Sequence, residues 1–184
     1  MVMTAFNTID GIPATAHIPL LRGVLRQEWG FDGTVISDYS AIHELINHGI
    51  AANGSEAARK ALLAGVDIEM MSGDYLTWGE KLVKDNLLSI DIVDEAVLRL
   101  LRLKDDLGLF KDPYRGIGET GSDAAYYAPD GRKIALNAAA KSMVLLKNNG
   151  VLPCSKQSRI AVIGPFARTQ NLLGNWSCHG DEKD

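Results

Sequence analysis

The order of apolar runs and helical patterns over residues 1–112 most constrains what this chain can fold into. Three apolar runs, Val2–Phe6, Thr34–Tyr39 and Val66–Met71, alternate with segments whose apolar residues recur at helical spacing. Strands joined through helices pair in parallel, because only a long crossover brings the chain back to the same end of the sheet. The pattern therefore predicts an α/β fold with a parallel sheet and right-handed crossovers.

Start and stop signals predict four helices between and after these runs. The signals combine apolar spacing, N-cap residues and glycines, which commonly end helices. The first helix is predicted from apolar spacing over 20–25 and ends at Gly30, and the second begins near the N-cap Ser55 and ends at Gly65. The third begins with the capping-box spacing over 77–80, and the fourth is an apolar stripe from Val93 that ends at Gly108.

The composition changes after residue 112. Residues 113–131 turn to Gly, Ser, Thr and Asp, which is typical of a linker. A helix is predicted from about Arg132 to Ser142, followed by strands over 143–147 and 159–164. The second region has about 50 residues, which is marginal for an independent core. We therefore expect one domain over 1–112, a linker over 113–131 and the start of a second domain over 132–184.

Composition narrows the class of protein. With 184 residues, 46% hydrophobic and 23% charged, the chain has the make-up of a globular protein, which excludes a disordered or collagen-like one. A net charge of −4 argues against nucleic acid as a partner, and no apolar stretch is long enough for a membrane helix. The two cysteines, Cys154 and Cys178, lack the spacing of metal ligands. We expect no metal and no cofactor.

The segment Ser37-Asp38-Tyr39 ends the second apolar run with a carboxylate and an aromatic ring. In parallel α/β folds, ligands bind at the carboxyl ends of the strands. A carboxylate placed there could attack an anomeric carbon, and a neighbouring ring could stack on a sugar. The alternative is structural, since an aspartate at a strand end also caps a following helix or closes a turn.

Motifs in a fixed order run through nearly the whole chain, and with them the sequence resembles glycoside hydrolase family 3, most closely its bacterial periplasmic β-glucosidases. The motifs are Val2–Asn7, Asp10–Thr15, Leu21–Arg26, Trp29–Gly33, Ser37–Tyr39, Val66–Met70, Leu107–Phe110, Ser142–Asn148, Ile163–Pro165 and Gly174–Ser177.

The resemblance implies a (β/α)8-type barrel followed by an α/β sandwich, with the active site between them. Residues 1–112 would be the C-terminal part of the barrel, about three βα units, and residues 132–184 the start of the sandwich. It also implies a retaining, two-step hydrolysis of terminal β-linked glucose. Asp38 matches the nucleophile, which forms a glycosyl-enzyme ester that water then hydrolyses.

Five further residues are expected to bind the substrate, again by resemblance. Tyr39 stands where family members often have Trp, on the leaving-group side of the glycosidic bond. Met3 and Phe6 match residues that line the sugar pocket, and Phe6 lacks the hydroxyl of the Tyr often found there. Glu69 and Met70 end the third strand on the same face. A polar layer inside the barrel is the alternative role for Glu69.

Other aromatic side chains are assigned supporting roles. Trp29 is expected in the core, where the helix turns into the strand. His43 and His48 are expected at surface or supporting positions beyond Asp38. Trp176 and His179 could approach the cleft between the domains, with simple packing as the alternative for Trp176.

The resemblance also implies further barrel units and a general acid/base residue that we do not find in the 184 residues. A (β/α)8 barrel takes about 250 residues, and no residue matches the glutamate that serves the family as general acid/base. We therefore expect a segment of a longer enzyme, nearly inactive alone. Two alternatives stay open. One is a split enzyme that receives the missing barrel and sandwich segments in trans, and the other is a non-catalytic α/β module that binds sugar or a partner.

The expected partner is a β-glucoside or oligosaccharide substrate, together with the missing segments in cis or in trans. Nucleic acid and membrane are not expected as partners. By resemblance, the protein would be periplasmic or secreted.

Overall fold

The computed structural model describes residues 1–115 and 129–168. The chain divides into two compact units, Met1–Gly118 and Glu119–Asp184. Trp176 and His179 lie outside the described residues. In chain order the first unit contains strands β1 (Val2–Met3), β2 (Thr8–Ile9) and β3 (Ile12–Pro13), helix π1 (Pro19–Glu28), strand β4 (Val35–Tyr39), helices α1 (Glu44–Asn47) and α2 (Gly54–Ala64), strand β5 (Ile68–Met70), and helices α3 (Asp74–Lys84) and α4 (Ile90–Asp106).

A parallel sheet forms the centre of the first unit, in the order β1–β4–β5. β1 pairs with β4 and β4 with β5, both in parallel, and each of the three strands lies within one of the predicted apolar runs. The α/β class predicted from the alternating pattern is confirmed. Because the strands run the same way, their carboxyl ends lie at one edge of the sheet, which we call the carboxyl edge.

A small antiparallel hairpin of β2 and β3 follows β1. Its turn residues, Asp10 and Gly11, have φ values of 50° and 80°. Two left-handed residues in succession define the turn that suits a tight hairpin, and Asp-Gly is a favoured pair for it. This hairpin is not among the predicted elements, although its Asp-Gly pair lies between two isoleucines, Ile9 and Ile12.

The helix ends follow the predictions in part. Gly65, with φ of 97°, ends α2 as expected, but the N-cap of α2 is Asn53 rather than Ser55. The side chain of Asn53 accepts a hydrogen bond of 3.0 Å from the Glu56 N–H. The capping-box prediction for α3 is wrong, because that helix already begins at Asp74 and Thr77 lies within it.

Two clusters of buried side chains form the core of the first unit. The larger cluster joins β4 to π1, α1 and α2, and the smaller one joins α2 to α3 and the start of α4. The larger cluster consists of Leu21, Val35, Ile42, Leu45, Ala51, Ala57, Ala61, Ala64 and Val66. The smaller cluster consists of Ala58, Leu62, Leu82 and Leu88.

Trp29 does not belong to this core. Its side chain is 70% exposed, so the prediction of a core position is wrong. The residue caps π1, and its N–H donates to the Val24 carbonyl five residues back at 2.9 Å. Leu21 is the buried residue of π1. The indole lies instead at a shallow apolar groove beside β1, which Val2 and Leu25 also line.

The described part of the second unit contains one helix, α5 (Pro129–Ser142). The strands predicted over 143–147 and 159–164 are wrong for the described residues, since neither segment pairs in a sheet there. Their apolar side chains are exposed, with Leu146 and Ile163 at 91% and 90%. A strand exists only through hydrogen bonds to a neighbour, so apolar β-branched sequence does not create one by itself.

A buried carboxylate joins the strands and helices of the first unit at the amino ends of β4 and β5. The Asp67 side chain is 1% exposed, and it contacts Arg26 Nη2 at 2.9 Å and Arg99 Nη1 at 2.8 Å. The N–H of Val35 also donates to Asp67 Oδ2 at 2.8 Å. One side chain thus connects π1, β4 and α4.

Glu95 extends this network toward the surface. It contacts Arg22 Nη1 at 3.1 Å and also pairs with Arg99. Partial burial alone would raise the pKa of Glu95, but the hydrogen bonds and charges of Arg22 and Arg99 outweigh it and hold that pKa below its ordinary value. Burial acts against the charge of Arg26 and lowers its pKa, which the neighbouring Asp67 partly opposes.

Replacing the buried carboxylate by an amide tests this network. Asp67→Asn leaves Arg26 and Arg99, with side chains 10% and 11% exposed, without their shared anion. We expect a loss of about 3 kcal/mol in the free energy of unfolding, measured by urea denaturation of the 184-residue chain. Asp94→Asn, the same change at an exposed position of α4, should leave the urea midpoint unchanged. Equal midpoints for the two variants would contradict the role of Asp67.

The shifted pKa of Glu95 predicts a pH dependence. A carboxyl group with a lowered pKa in the folded state contributes stability above its unfolded pKa, near 4.5, and loses it as the pH falls through the folded value. Glu95→Gln should therefore destabilise the chain at pH 7, and its deficit should shrink below about pH 4.5. Urea midpoints at pH 7 and pH 3 measure this. Glu28→Gln, at an exposed position of π1, is the matched control, and a Glu95→Gln deficit independent of pH would refute the prediction.

Candidate active site

Asp38 is the second-last residue of β4, and a turn of four residues separates that strand from α1. Its side chain is partly buried, and its Oδ1 accepts a hydrogen bond of 2.7 Å from the Tyr39 N–H. Within the described residues no side chain or backbone group is hydrogen-bonded to Oδ2. The carboxylate is therefore oriented by its own backbone and presents an oxygen that a bound molecule can approach.

A buried serine hydroxyl fixes the end of this strand. Ser37 is 0% exposed, and its Oγ accepts from the Met70 N–H at 2.8 Å while donating to the Asp38 carbonyl at 2.9 Å. The N–H of Ser40 donates to the Met70 carbonyl at 2.8 Å. These bonds hold the carboxyl ends of β4 and β5 together, so that Asp38 and Met70 lie at the same edge.

Glu69 uses both carboxylate oxygens to cap α3. Oε1 accepts from the Asp74 N–H at 2.8 Å and Oε2 from the Tyr75 N–H at 2.7 Å. A carboxylate at a helix N-terminus satisfies N–H groups that have no partner within the helix, and it complements the helix dipole. This cap explains why α3 begins upstream of the predicted capping box. In this arrangement Glu69 serves the fold of the carboxyl edge.

The other predicted substrate-binding residues lie at or beyond the same edge. Tyr39 and Met70 lie opposite each other at the ends of β4 and β5, whereas Met3 ends β1 on the far side of β4. Phe6 lies in the connection from β1 to β2. Met3, Phe6 and Tyr39 are 49%, 38% and 45% exposed. The structure thus brings Asp38, Tyr39 and Met70 together through strand pairing, while Met3 and Phe6 are placed separately at the β1 end.

Two polar pairs near this edge were missed by the sequence reasoning. Thr4 and Thr15 share a buried hydroxyl–hydroxyl hydrogen bond of 3.0 Å, which ties the end of β1 to the turn after β3. His43 Nδ1 lies 3.0 Å from Asp74 Oδ2. The signal for Thr4 was a polar residue inside an apolar run. The histidine pair had none, because its members are separated by 31 positions.

Tyr75 links the first turn of α3 to the amino end of β5. Its side-chain hydroxyl donates to the Val66 carbonyl at 2.9 Å. Burial raises its pKa well above the ordinary value, and the nearby charges of Glu69 and Asp67 raise it further. The phenol therefore stays protonated and acts as a donor throughout the ordinary pH range.

Asp74 is packed tightly against the first residue of α2. A Cβ atom on Gly54 would lie 2.2 Å from Asp74 Oδ1 and 2.9 Å from Trp78 Nε1. Contacts that short do not occur in folded proteins, so the approach of α2 to α3 requires glycine at this position.

Family models match both parts of the chain. The model of the glycosyl hydrolase family 3 N terminal domain matches residues 1–103, and that of the glycosyl hydrolase family 3 C-terminal domain matches residues 143–183. The fold and the site define an α/β protein with an accessible carboxylate at the carboxyl edge of a parallel sheet. The chain belongs to glycosyl hydrolase family 3.

Similar proteins include glycosidases of two kinds. The periplasmic beta-glucosidase of Salmonella typhimurium is 43% identical over 97% of this chain and 24% of its own length. A probable exo-1,4-beta-xylosidase of Aspergillus terreus is 38% identical over 95% of this chain and 23% of its own length. The chain therefore spans about a quarter of the length of these curated relatives.

Solved structures agree with this family. The β-glucosidase of Listeria innocua in complex with glucose is 48% identical, with a TM-score of 0.77 over 100% of this chain and 25% of that one. An aspartate-to-alanine mutant of the same enzyme, in complex with laminaribiose, gives 47% identity and a TM-score of 0.79, again over 100% of this chain and 25% of that one. Among the described residues, no helix is both long and apolar enough to span a membrane.

A pair of glycine variants tests the packing of Asp74. Gly54→Ala should destabilise the chain by about 1–3 kcal/mol, because the packed side chains of Asp74 and Trp78, or the helix that carries them, must shift to admit the methyl group. Gly79→Ala, in the interior of α3 with nothing within 4 Å of the added Cβ, should stabilise it by about 0.5–1 kcal/mol through helix propensity. Urea midpoints measure both. If Gly54→Ala is neutral, the close approach of α2 to Asp74 is refuted.

Proposed function

We propose that this chain is part of a retaining β-glycosidase and that Asp38 is its nucleophile. The observation that carries the proposal is the hydrogen bonding of the Asp38 carboxylate at the carboxyl edge. One oxygen is fixed by the Tyr39 N–H at 2.7 Å, and the other is not hydrogen-bonded within the described part of the chain. An oriented carboxylate with an accessible oxygen is what attack on an anomeric carbon needs.

The proposed reaction has two displacements at the anomeric carbon. An oxygen of Asp38 bonds to that carbon while the glycosidic C–O bond breaks, and the leaving oxygen takes a proton from a general acid. Water then attacks the same carbon, gives its proton to the residue that acted as acid, and releases the sugar and the Asp38 carboxylate. The acid/base is proposed to lie outside this chain.

The proposed architecture is that of the family. Residues 1–112 would form about three βα units of a (β/α)8 barrel, residues 113–131 a linker, and residues 132–184 the beginning of an α/β sandwich. The parallel order β1–β4–β5 supports the first part. The family models over 1–103 and 143–183 support a division into two domains.

The proposed substrate is a terminal β-linked glucose, with Tyr39, Met70, Met3 and Phe6 lining its site and Glu69 holding α3 behind it. The glucose and laminaribiose complexes of the Listeria innocua enzyme support glucose. The Aspergillus terreus relative supports β-xylosides as the second candidate. Similarity to the periplasmic Salmonella typhimurium enzyme supports a periplasmic or secreted protein.

A chimera tests the proposal. This chain replaces the matching quarter of the Listeria innocua β-glucosidase, to which it is similar over its whole length. The chimera should hydrolyse a nitrophenyl β-glucoside, and Asp38→Asn within it should lower kcat by about 10⁴-fold or more, because the covalent step is lost. Asp94→Asn should leave kcat unchanged. The matching β-xyloside, assayed in parallel, decides between the two sugars.

Two results would count against the proposal. One is an active chimera whose kcat survives Asp38→Asn, since another group would then be the nucleophile. The other is robust turnover by the 184-residue chain alone, because an acid/base would then have to be present within it.

A further inference from the structure

A histidine and a buried carboxylate pair next to the strand end that carries Asp38. His43 Nδ1 lies 3.0 Å from Asp74 Oδ2, and the two side chains are 56% and 8% exposed. No step of the proposed reaction uses this pair. His43 is the last residue of the turn after β4 (residues 40–43), in which the Ala41 N–H donates back to the Asp38 carbonyl at 3.2 Å.

The turn after β4 is attached at three places, one each in β5, in the loop after it and at the start of α3. The Ser40 N–H donates to the Met70 carbonyl at 2.8 Å, and the His43 N–H donates to Ser72 Oγ at 3.4 Å. The contact of His43 with Asp74 is the third. Ser40 has a φ of 58°, which is an unfavourable conformation for a residue with a Cβ. A strained turn needs such attachments to keep one conformation.

Asp74 is itself held firmly. It is the first residue of α3, and its N–H donates to Glu69 Oε1 at 2.8 Å. Its carboxylate lies against Gly54, the first residue of α2. The amino ends of two helices therefore meet at one anion, a position where helix dipoles favour negative charge. His43 contacts a fixed group rather than a mobile surface side chain.

We propose that Asp74, acting through His43, is a positioning residue for the nucleophile Asp38. The pair locks the turn after β4 onto the amino end of α3 and so sets the direction of the Asp38 carboxylate. This inference rests on the proposed function. Because Asp74 accepts the hydrogen bond, His43 donates through Nδ1–H, and an asparagine at position 43 can donate from nearly the same place.

Kinetics of the chimera test the role. His43→Ala should lower kcat about 10-fold with little change in KM, since a misdirected nucleophile is felt in the transition state more than in binding. His43→Asn should restore most of kcat because it restores the donor to Asp74. His48→Ala, at an exposed position five residues further on, is the matched control and should have no effect. The proposal is overturned if His43→Asn is as slow as His43→Ala, or if His43→Ala matches the control.

Hydrogen exchange separates this inference from the proposed function. In the 184-residue chain, the backbone amides of residues 40 and 43 should exchange about tenfold faster in His43→Ala than in the parent or in His48→Ala, because one bond to a charged group is lost. If hydrogen exchange at these amides is unchanged, the His43–Asp74 pair does not hold the turn in place, and the inference is refuted whatever the kinetics show. A chimera whose kcat survives Asp38→Asn, together with faster exchange in His43→Ala, would instead reject the proposed function and still support the attachment of the turn through His43 and Asp74.

Discussion

The rest of the first unit depends on one buried anion, the carboxylate of Asp67. Two arginines from different helices and a backbone N–H of β4 converge on its two oxygens. An isolated charge at 1% exposure would be very costly, so the site is stable only when all its partners are present. It therefore enforces a single arrangement of π1, β4 and α4. These charged side chains lie at the amino ends of the strands, where they stiffen the sheet, and none of them lies at the carboxyl edge.

The carboxyl edge is organised differently. There the strand ends are joined by neutral hydrogen bonds through the Ser37 hydroxyl, and each carboxylate has a separate task. Glu69 caps α3 with both oxygens, and Asp74 binds His43. Asp38 is oriented by its own backbone and keeps an oxygen accessible. The two ends of the sheet thus differ in the way that is common in parallel α/β proteins, where one end serves stability and the other carries the site.

The sequence predicted those features of the fold that depend on residues close together in the chain. The alternation of apolar runs indicated the parallel sheet, and Gly65 marked the end of α2. The start of α3 could not be found in this way, because Glu69 caps it from across a loop, and the pairing of His43 with Asp74 spans 31 positions. The strands predicted over 143–147 and 159–164 fail for a related reason, since a strand depends on a neighbour that a local pattern does not reveal. Asp38 was predicted as a site residue from its position at a strand end and the family motif.

The two roles of Ser37 change how its neighbourhood in the sequence should be interpreted. Its hydroxyl accepts one hydrogen bond from β5 and donates one to the carbonyl of the next residue, so its side chain serves the sheet. Under the proposed function, a Ser-Asp pair at this strand end combines a structural requirement with a chemical one. A relative without an aspartate at position 38 would still need the serine for its strand pairing. When such sequences are compared, the aspartate alone, and not the Ser-Asp pair, therefore indicates whether the proposed nucleophile is present.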